Sequence, residues 1–351
     1  MKRQRGRVKT DYREDISLIA DRRQWAFWLA FVALLVVLPL ILNAAGSRNW
    51  VTFLNFTFLT IIAVLGLNVI TGMSGQISLG HSAFILVGGY GVAVLTVQFG
   101  WNYWPALVVS VIFTGILGLL VATPALRLKG FYVAVVTLAF FFILQFVIKS
   151  LDITGSIYGL TGIPRPAIGG LAIKSDTNWY YLLLAFTVLS VIASANIVRS
   201  RYGRAFLAVR DNDITTSSLG INVPFTKLRA FFIGSLFAGL AGGLWASYIS
   251  VIRLDQFTIW DSIWYIGMII IGGSGSTAGT IMGVVFLRLV SQILHVIGSG
   301  NFAALSSSDS IYLTYGIFGL IIILFVTFRP YGLISLWLKF KANYKRWPFG
   351  V

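Results

Sequence analysis

Runs of about 20 apolar residues recur along most of this chain, and no other feature constrains its fold as tightly. A helix rising 1.5 Å per residue needs about 20 such residues to cross a hydrocarbon core of about 30 Å. Runs of that kind occupy residues 25–45, 51–71, 79–98, 105–123, 131–148, 179–198, 230–249, 278–297 and 311–328, with a shorter one at 262–273. They predict an all-α integral membrane protein of about ten transmembrane helices with both termini cytoplasmic, including short or broken Gly-rich helices. The composition agrees: 57% of the 351 residues are hydrophobic and 11% charged, against about 25% charged in a soluble domain.

The formal net charge of +16 invites a nucleic-acid reading, but topology accounts for it more economically. With the N-terminus inside, 21 of the 27 Lys and Arg fall on cytoplasmic segments: eight before Trp25, two at Arg127 and Lys129, six from Arg199 to Arg229 and five from Arg329 onward. The positive-inside rule predicts that asymmetry. Nucleic acid is therefore not an expected partner, whereas membrane lipid is. The eight basic residues of the first 24, set against four acids, read as a retained tail rather than a cleaved leader. Trp25, Trp28, Trp50, Trp101, Trp104, Trp179 and Trp337 fall near predicted span ends, where an amphipathic ring favours the interface.

The expected organisation is a basic cytoplasmic tail over 1–24, a transmembrane domain over 25–330 and a second basic tail over 331–351. Two longer connections stand out. An outer one runs from Lys149 to Asn178; an inner, amphipathic one covers about 199–229. Within the inner connection, Asp211 or Asn212 can cap a short helix that Gly220 ends, and Pro224 follows before the next span. Two further inner connections are uncharged and rich in Gly and Ser, Gly72 to His81 and Gly272 to Gly279. Non-helical backbone at membrane depth survives where protein or a water-filled cavity satisfies it. Ser74, Gly75, Gln76, Ser78, His81, Gly273 and Ser274 are accordingly the candidate pathway residues. Close helix packing through small residues is the competing explanation, as at Gly115, Gly118, Gly239, Gly242 and Gly243.

Several chemistries are missing. There is no Cys, and two His with a single Glu make a metal centre improbable. No catalytic or metal-binding residue is expected. All eleven carboxylates fall outside the spans drawn above, Asp261 among them in an outer loop. Ion-coupled carriers ordinarily keep a polar relay inside the membrane, so intrinsic ion coupling is not expected. A phosphate loop ending in Gly-Lys-Ser or Gly-Lys-Thr is also absent, so energy for pumping has to come from a partner. Arg288 falls inside a span and could meet a partner subunit, snorkel or touch substrate. His295 reads as an interface residue.

The run LNVITGMSGQISLGH (Leu67 to His81), followed by Phe84, Gly88 and Tyr90, resembles the signature of branched-chain amino-acid ABC transporter permeases. RLKGFYVAVVTL (Arg127 to Leu138), Gly162-Ile163-Pro164, RYGRAFLAVRDND from Arg201, RAFFIGSLFAGLAGGL from Arg229 and GGSGSTAGTIMG from Gly272 resemble its larger, M-type subunit. The resemblance covers roughly Leu67 to Gly332. It implies a multi-pass permease of the bacterial inner membrane that works with a second, H-type permease, two ATPases binding ATP and Mg, and an outside substrate-binding protein. It also implies that Arg210, Asp211, Asp213, Leu219 and Gly220 belong to an ATPase coupling loop. No cofactor is expected in this chain itself.

The chain departs from the family's habits at Thr215 and Thr216, where an Ala pair is common, and at Phe142 and Gln145, which replace a frequent Glu and Arg. Urea and short-amide importers use closely similar permeases, so they are the alternative within the class. A passive channel or ATP-independent carrier is the alternative outside it.

Overall fold

The computed structural model describes residues 22–44, 46, 48–126, 130–168, 171–300, 307–329 and 331–346. Most of the expected N-terminal tail, Arg127 and Lys129, and the side chain of His295 lie outside what is described. The chain divides between Thr52 and Phe53 into two compact units. In the first, helix α1 (Arg22–Ala44) carries Pro39 inside it and ends in a positive-φ turn at Gly46.

From Arg48 the chain runs through α2 (Arg48–Leu67), which widens into a π-helical turn at Asn68–Met73, and then α3 (His81–Ala93), α4 (Tyr103–Ala125) and α5 (Phe131–Ser150). Short strands β1 (Leu160–Thr161), β2 (Ala167–Ile168) and β3 (Leu171–Ala172) precede α6 (Asp176–Arg199). The basic segment then folds as α7 (Arg201–Asp211) and α8 (Asp213–Ser218) before α9 (Val223–Ile249). Strand β4 (Val251–Ile252), α10 (Ile259–Gly272), α11 (Thr277–Gly300), α12 (Ser307–Phe328) and α13 (Gly332–Arg346) complete it.

Among the described residues, seven helices are long and apolar enough to cross a membrane: Asn49–Met73, His81–Gln98, Tyr103–Pro124, Phe131–Ser150, Asp176–Arg199, Val223–Ile249 and Thr277–Leu294. An eighth is possible if the pair Gly316–Phe328 and Gly332–Phe340, bent by 52°, is one broken span. Ten spans are therefore not confirmed among the described residues. Helix α10, the shorter run of the sequence, has 14 residues and reaches about 21 Å, short of a hydrocarbon core of about 30 Å. The described apolar part of α1, Val32–Ala44, is short as well.

Helix α9 is the centre of the larger unit. A Cβ on Gly242 would strike the Ile85 carbonyl, one on Gly88 the backbone of Gly239, and one on Gly66 the Gly234 carbonyl. Backbones of α2, α3 and α9 therefore touch almost directly. In lipid, where apolar burial gives no net drive, such close van der Waals packing is what associates helices. Gly115 and Gly118 serve the same end against Leu236 and Ser235, so for these glycines the packing explanation holds. Outward faces are apolar and open: Leu120, Phe142, Phe146 and Leu189 are each more than half exposed.

At the end opposite the basic segment, β1 pairs antiparallel with β4, Leu160 against Ile252, and joins the connection of 149–178 to the one that follows α9. Trp104 donates its indole N–H to the Ala167 carbonyl at 2.9 Å. Trp101 and Trp337 are about half exposed. Trp179 is not an interface ring: it is 1% exposed and packs edge-on to Tyr248.

Candidate functional site

The two Gly/Ser connections, about 200 residues apart in sequence, lie against each other. The Gly275 amide donates to Asn68 Oδ1 at 2.9 Å, and a Cβ on Gly72 would lie 2.7 Å from the Gly275 nitrogen. Gly75, Gly273 and Gly275 all have positive φ, 72°, 116° and 83°, a region that side chains with a Cβ enter only at a cost. Glycine is required here twice over, for the backbone and for the approach.

Arg210, at the end of α7, ties both connections to the basic segment. One terminal nitrogen donates to the Gly72 carbonyl at 2.5 Å and the other to Ser274 Oγ at 3.2 Å. Its aliphatic stem lies over Gly75, where a Cβ would come within 3.1 Å of Arg210 Cγ. A planar fork of donors suits such a bridge between a carbonyl and a hydroxyl, which a lysine point charge could not span in the same way.

The segment carrying Arg210 is stiffened by its caps. Asn212 Oδ1 accepts from the amides of Ile214 at 2.9 Å and Thr215 at 3.1 Å, satisfying the open donors of α8. Gly220, at φ 81°, ends that helix, so the predicted cap and stop are both observed. Thr216, where the resemblance expects Ala, is buried and gives its hydroxyl to the Ala208 and Asn212 carbonyls. Lys227 pairs with Asp213 at 2.5 Å, fastening α8 to the start of α9. Phe206, fully buried, sits with Val69, Met73 and Ala230, anchoring α7 to the π-helical turn. On the open face Arg201 donates to the Tyr202 hydroxyl at 3.0 Å; that bond, helped by Arg201 and Arg229 charge, draws the phenol below its ordinary range.

A cleft of about 310 Å³ opens between these parts, lined by Ser74, Gly75 and Gln76 on one side and by Arg210, Asp211 and Asp213 on the other. Five pathway or coupling candidates from the sequence thus converge there with a sixth, Arg210, joining them. Ser78 and His81 do not reach it. Both are fully buried. Leu219 is 74% exposed and Gly220 has open space where a Cβ would be, both apart from the cleft.

The stretch from Ser74 to Gly80 is non-helical. His81 Nε2 contacts the Ala63 carbonyl at 2.8 Å; Ala63 precedes Gly72 by nine residues, so His81 lies about 13 Å deeper along α2. Protein satisfies part of the backbone between, as lipid requires. Ser74 and Gln76 amides donate to Val69 and Ile70 carbonyls, and the Leu79 amide to Thr137 Oγ1 at 3.0 Å. Three polar side-chain atoms in and beside this stretch, Asn68 Nδ2, Gln76 Oε1 and Ser78 Oγ, are buried without a partner in this chain. Such orphans are rare in native interiors.

The sequence reading of α10 needs correction. Its first turn begins at Ile259, so Asp261 is not in an outer loop but in a helix, with its Oδ2 accepting from the Thr258 amide at 2.7 Å and hydroxyl at 2.8 Å. Ser262, one residue on, accepts from the Ser82 amide at 3.0 Å and bonds Ser82 Oγ at 2.9 Å. Two helix starts, those of α3 and α10, therefore meet inside the unit, beside His81. The apolar run from Ile263 onward hid this, because a charged residue next to it reads as the edge of a membrane.

Residues 49–326 match the family described as the permease component of the branched-chain amino acid transport system. The chain belongs to this permease family. It is 29% identical over 292 residues to the high-affinity branched-chain amino acid transport system permease protein LivM of Salmonella typhimurium, covering 76% of this chain and 66% of that protein. LivM of Escherichia coli matches at 29% over 338 residues, 90% of this chain and 76% of the relative. A probable branched-chain amino acid transport permease protein LivM of Methanocaldococcus jannaschii matches at 26% over 237 residues, covering 65% and 68%. The chain thus spans just under two thirds of the Salmonella relative's length. No solved structure matches. As a member of this family the chain is a multi-pass membrane permease, a component of a multi-subunit transport system, and its family is one of transport subunits rather than enzymes.

Proposed function

We propose that this chain is the M-type membrane subunit of a binding-protein-dependent ABC importer for branched-chain amino acids, in a bacterial inner membrane. Its partners are a second, H-type permease, two ATPases that hold ATP and Mg, and an outside substrate-binding protein. The tails over 1–24 and 331–351 and the segment 199–229 face the cytoplasm. The names of the LivM relatives support the substrate class.

One observation carries the mechanism: Arg210 bonds the exposed segment α7–α8 to both interrupted connections at once. An ATPase that seats α8, around Asp211, Asp213, Leu219 and Gly220, moves Arg210. Arg210 then shifts Gly72 and Ser274, and with them the two half-helices whose breaks line the path. Small, weakly polar groups such as Ser74, Gln76 and Ser78 let a zwitterion pass without holding it, so selectivity rests with the binding protein. That protein docks on the outer connections, where β1 and β4 join.

Deleting Asp211 to Gly220 tests this in cells expressing the whole system. The permease is expected to insert and accumulate normally while leucine uptake falls to background. Normal uptake by the deletion refutes the coupling role.

A further inference from the structure

We propose that Asp261 and Arg288 are the two poles of a transit site for a zwitterion halfway across the membrane, Arg288 meeting the carboxylate and Asp261 the ammonium. This rests on the importer reading above. Helices α10 and α11 form an antiparallel pair whose register can be read from two glycine contacts. A Cβ on Gly272 would strike the Gly279 carbonyl, and one on Gly283 the Met268 carbonyl. Continuing that register sets Arg288 opposite Ile263, between Asp261 and Tyr265. Arg288 stands 11 residues into α11, about 16 Å from its start and so near the middle of a core of about 30 Å.

The two charges act on each other and on Tyr265, yet no ion pair within 4 Å joins them. Arg288 Nε is buried without a partner in this chain, and so is Trp245 Nε1. The guanidinium carbon stands 5.9 Å over the Phe56 ring, which packs against Trp245 at 5.1 Å. Two unanswered N–H donors beside an aromatic wall, with a carboxylate at the same depth, complement an amino acid carrying an apolar side chain. A buried ionisable group in a membrane is costly and is retained where charge must be met. Separated but mutually attracting poles give a passing zwitterion a place to exchange water without trapping it.

The test uses the complete transporter in proteoliposomes with saturating binding protein and radiolabelled L-leucine, measuring uptake and ATP hydrolysis together. Asp261→Asn keeps the oxygen that caps α10, and Arg288→Gln keeps side-chain length; each removes one pole. Each is expected to lower uptake about tenfold, the effect of about 1.4 kcal/mol, while hydrolysis stimulated by loaded binding protein stays within about twofold. Arg288→Lys keeps the charge but loses the Nε–H donor, so its uptake is expected to fall between that of wild type and that of Arg288→Gln. Uptake within about twofold of wild type in both neutral variants overturns the proposal. So does a parallel fall of uptake and hydrolysis in Asp261→Asn, the sign of a structural pair. Absence of leucine uptake by the wild-type complex is a separate result, and it would refute the importer's substrate class itself.

Discussion

Removing the Arg210 bridge should uncouple ATP hydrolysis from transport rather than stop it. In Arg210→Ala two hydrogen bonds disappear, one from a charged donor to the partly buried Gly72 carbonyl and one to the exposed Ser274 hydroxyl. A charge-assisted bond of the first kind contributes about 1.5 kcal/mol net, and the exposed one about 0.5. The loss of about 2 kcal/mol corresponds to a roughly thirtyfold weaker link between the position of α8 and that of the breaks. Lysine at 210 reaches one partner at a time, so an intermediate loss is expected. The assay is leucine imported per ATP hydrolysed by the reconstituted complex. The ratio should fall in the order wild type, Arg210→Lys, Arg210→Ala, with hydrolysis maintained. An unchanged ratio in Arg210→Ala would show that force does not pass through this residue.

Other substitutions probe the frame around it. Gly242→Ala places a methyl group against the Ile85 carbonyl and should cost about 1–3 kcal/mol, read as a lower melting temperature of the detergent-solubilised complex. Gly319→Ala, with open space around it, should leave that temperature unchanged or raise it. Asn212→Ala removes both caps of α8 at a cost of about 1 kcal/mol; uptake should drop and Asn212→Ser should restore most of it.

Much of the fold was legible because lipid imposes a coarse rule, and apolar runs of spanning length can be counted. Helices occur at each of the predicted places, and the Asn212 cap and Gly220 stop of α8 follow from local turn chemistry. The same rule misled at α10. The run's shortness was legible, but a hydropathy reading takes a charge to mark the surface, whereas Asp261 lies in the first turn of the helix. The bridge made by Arg210 left no trace in the sequence either, since it joins residues 64 and 138 positions away. What the sequence does carry is the glycine demand at both ends of that bridge. Gly72, Gly75, Gly273 and Gly275 signalled unusual backbone, though not that the two stretches touch.

The central claim is that this permease works only as part of an ATP-driven assembly, and purification of the tagged chain from its native membrane tests it most directly. The account predicts that two ATPase copies and a second permease accompany it, and that vesicles holding this assembly take up leucine only with binding protein outside and ATP inside. Leucine uptake by vesicles holding this chain alone, without ATP, would contradict it.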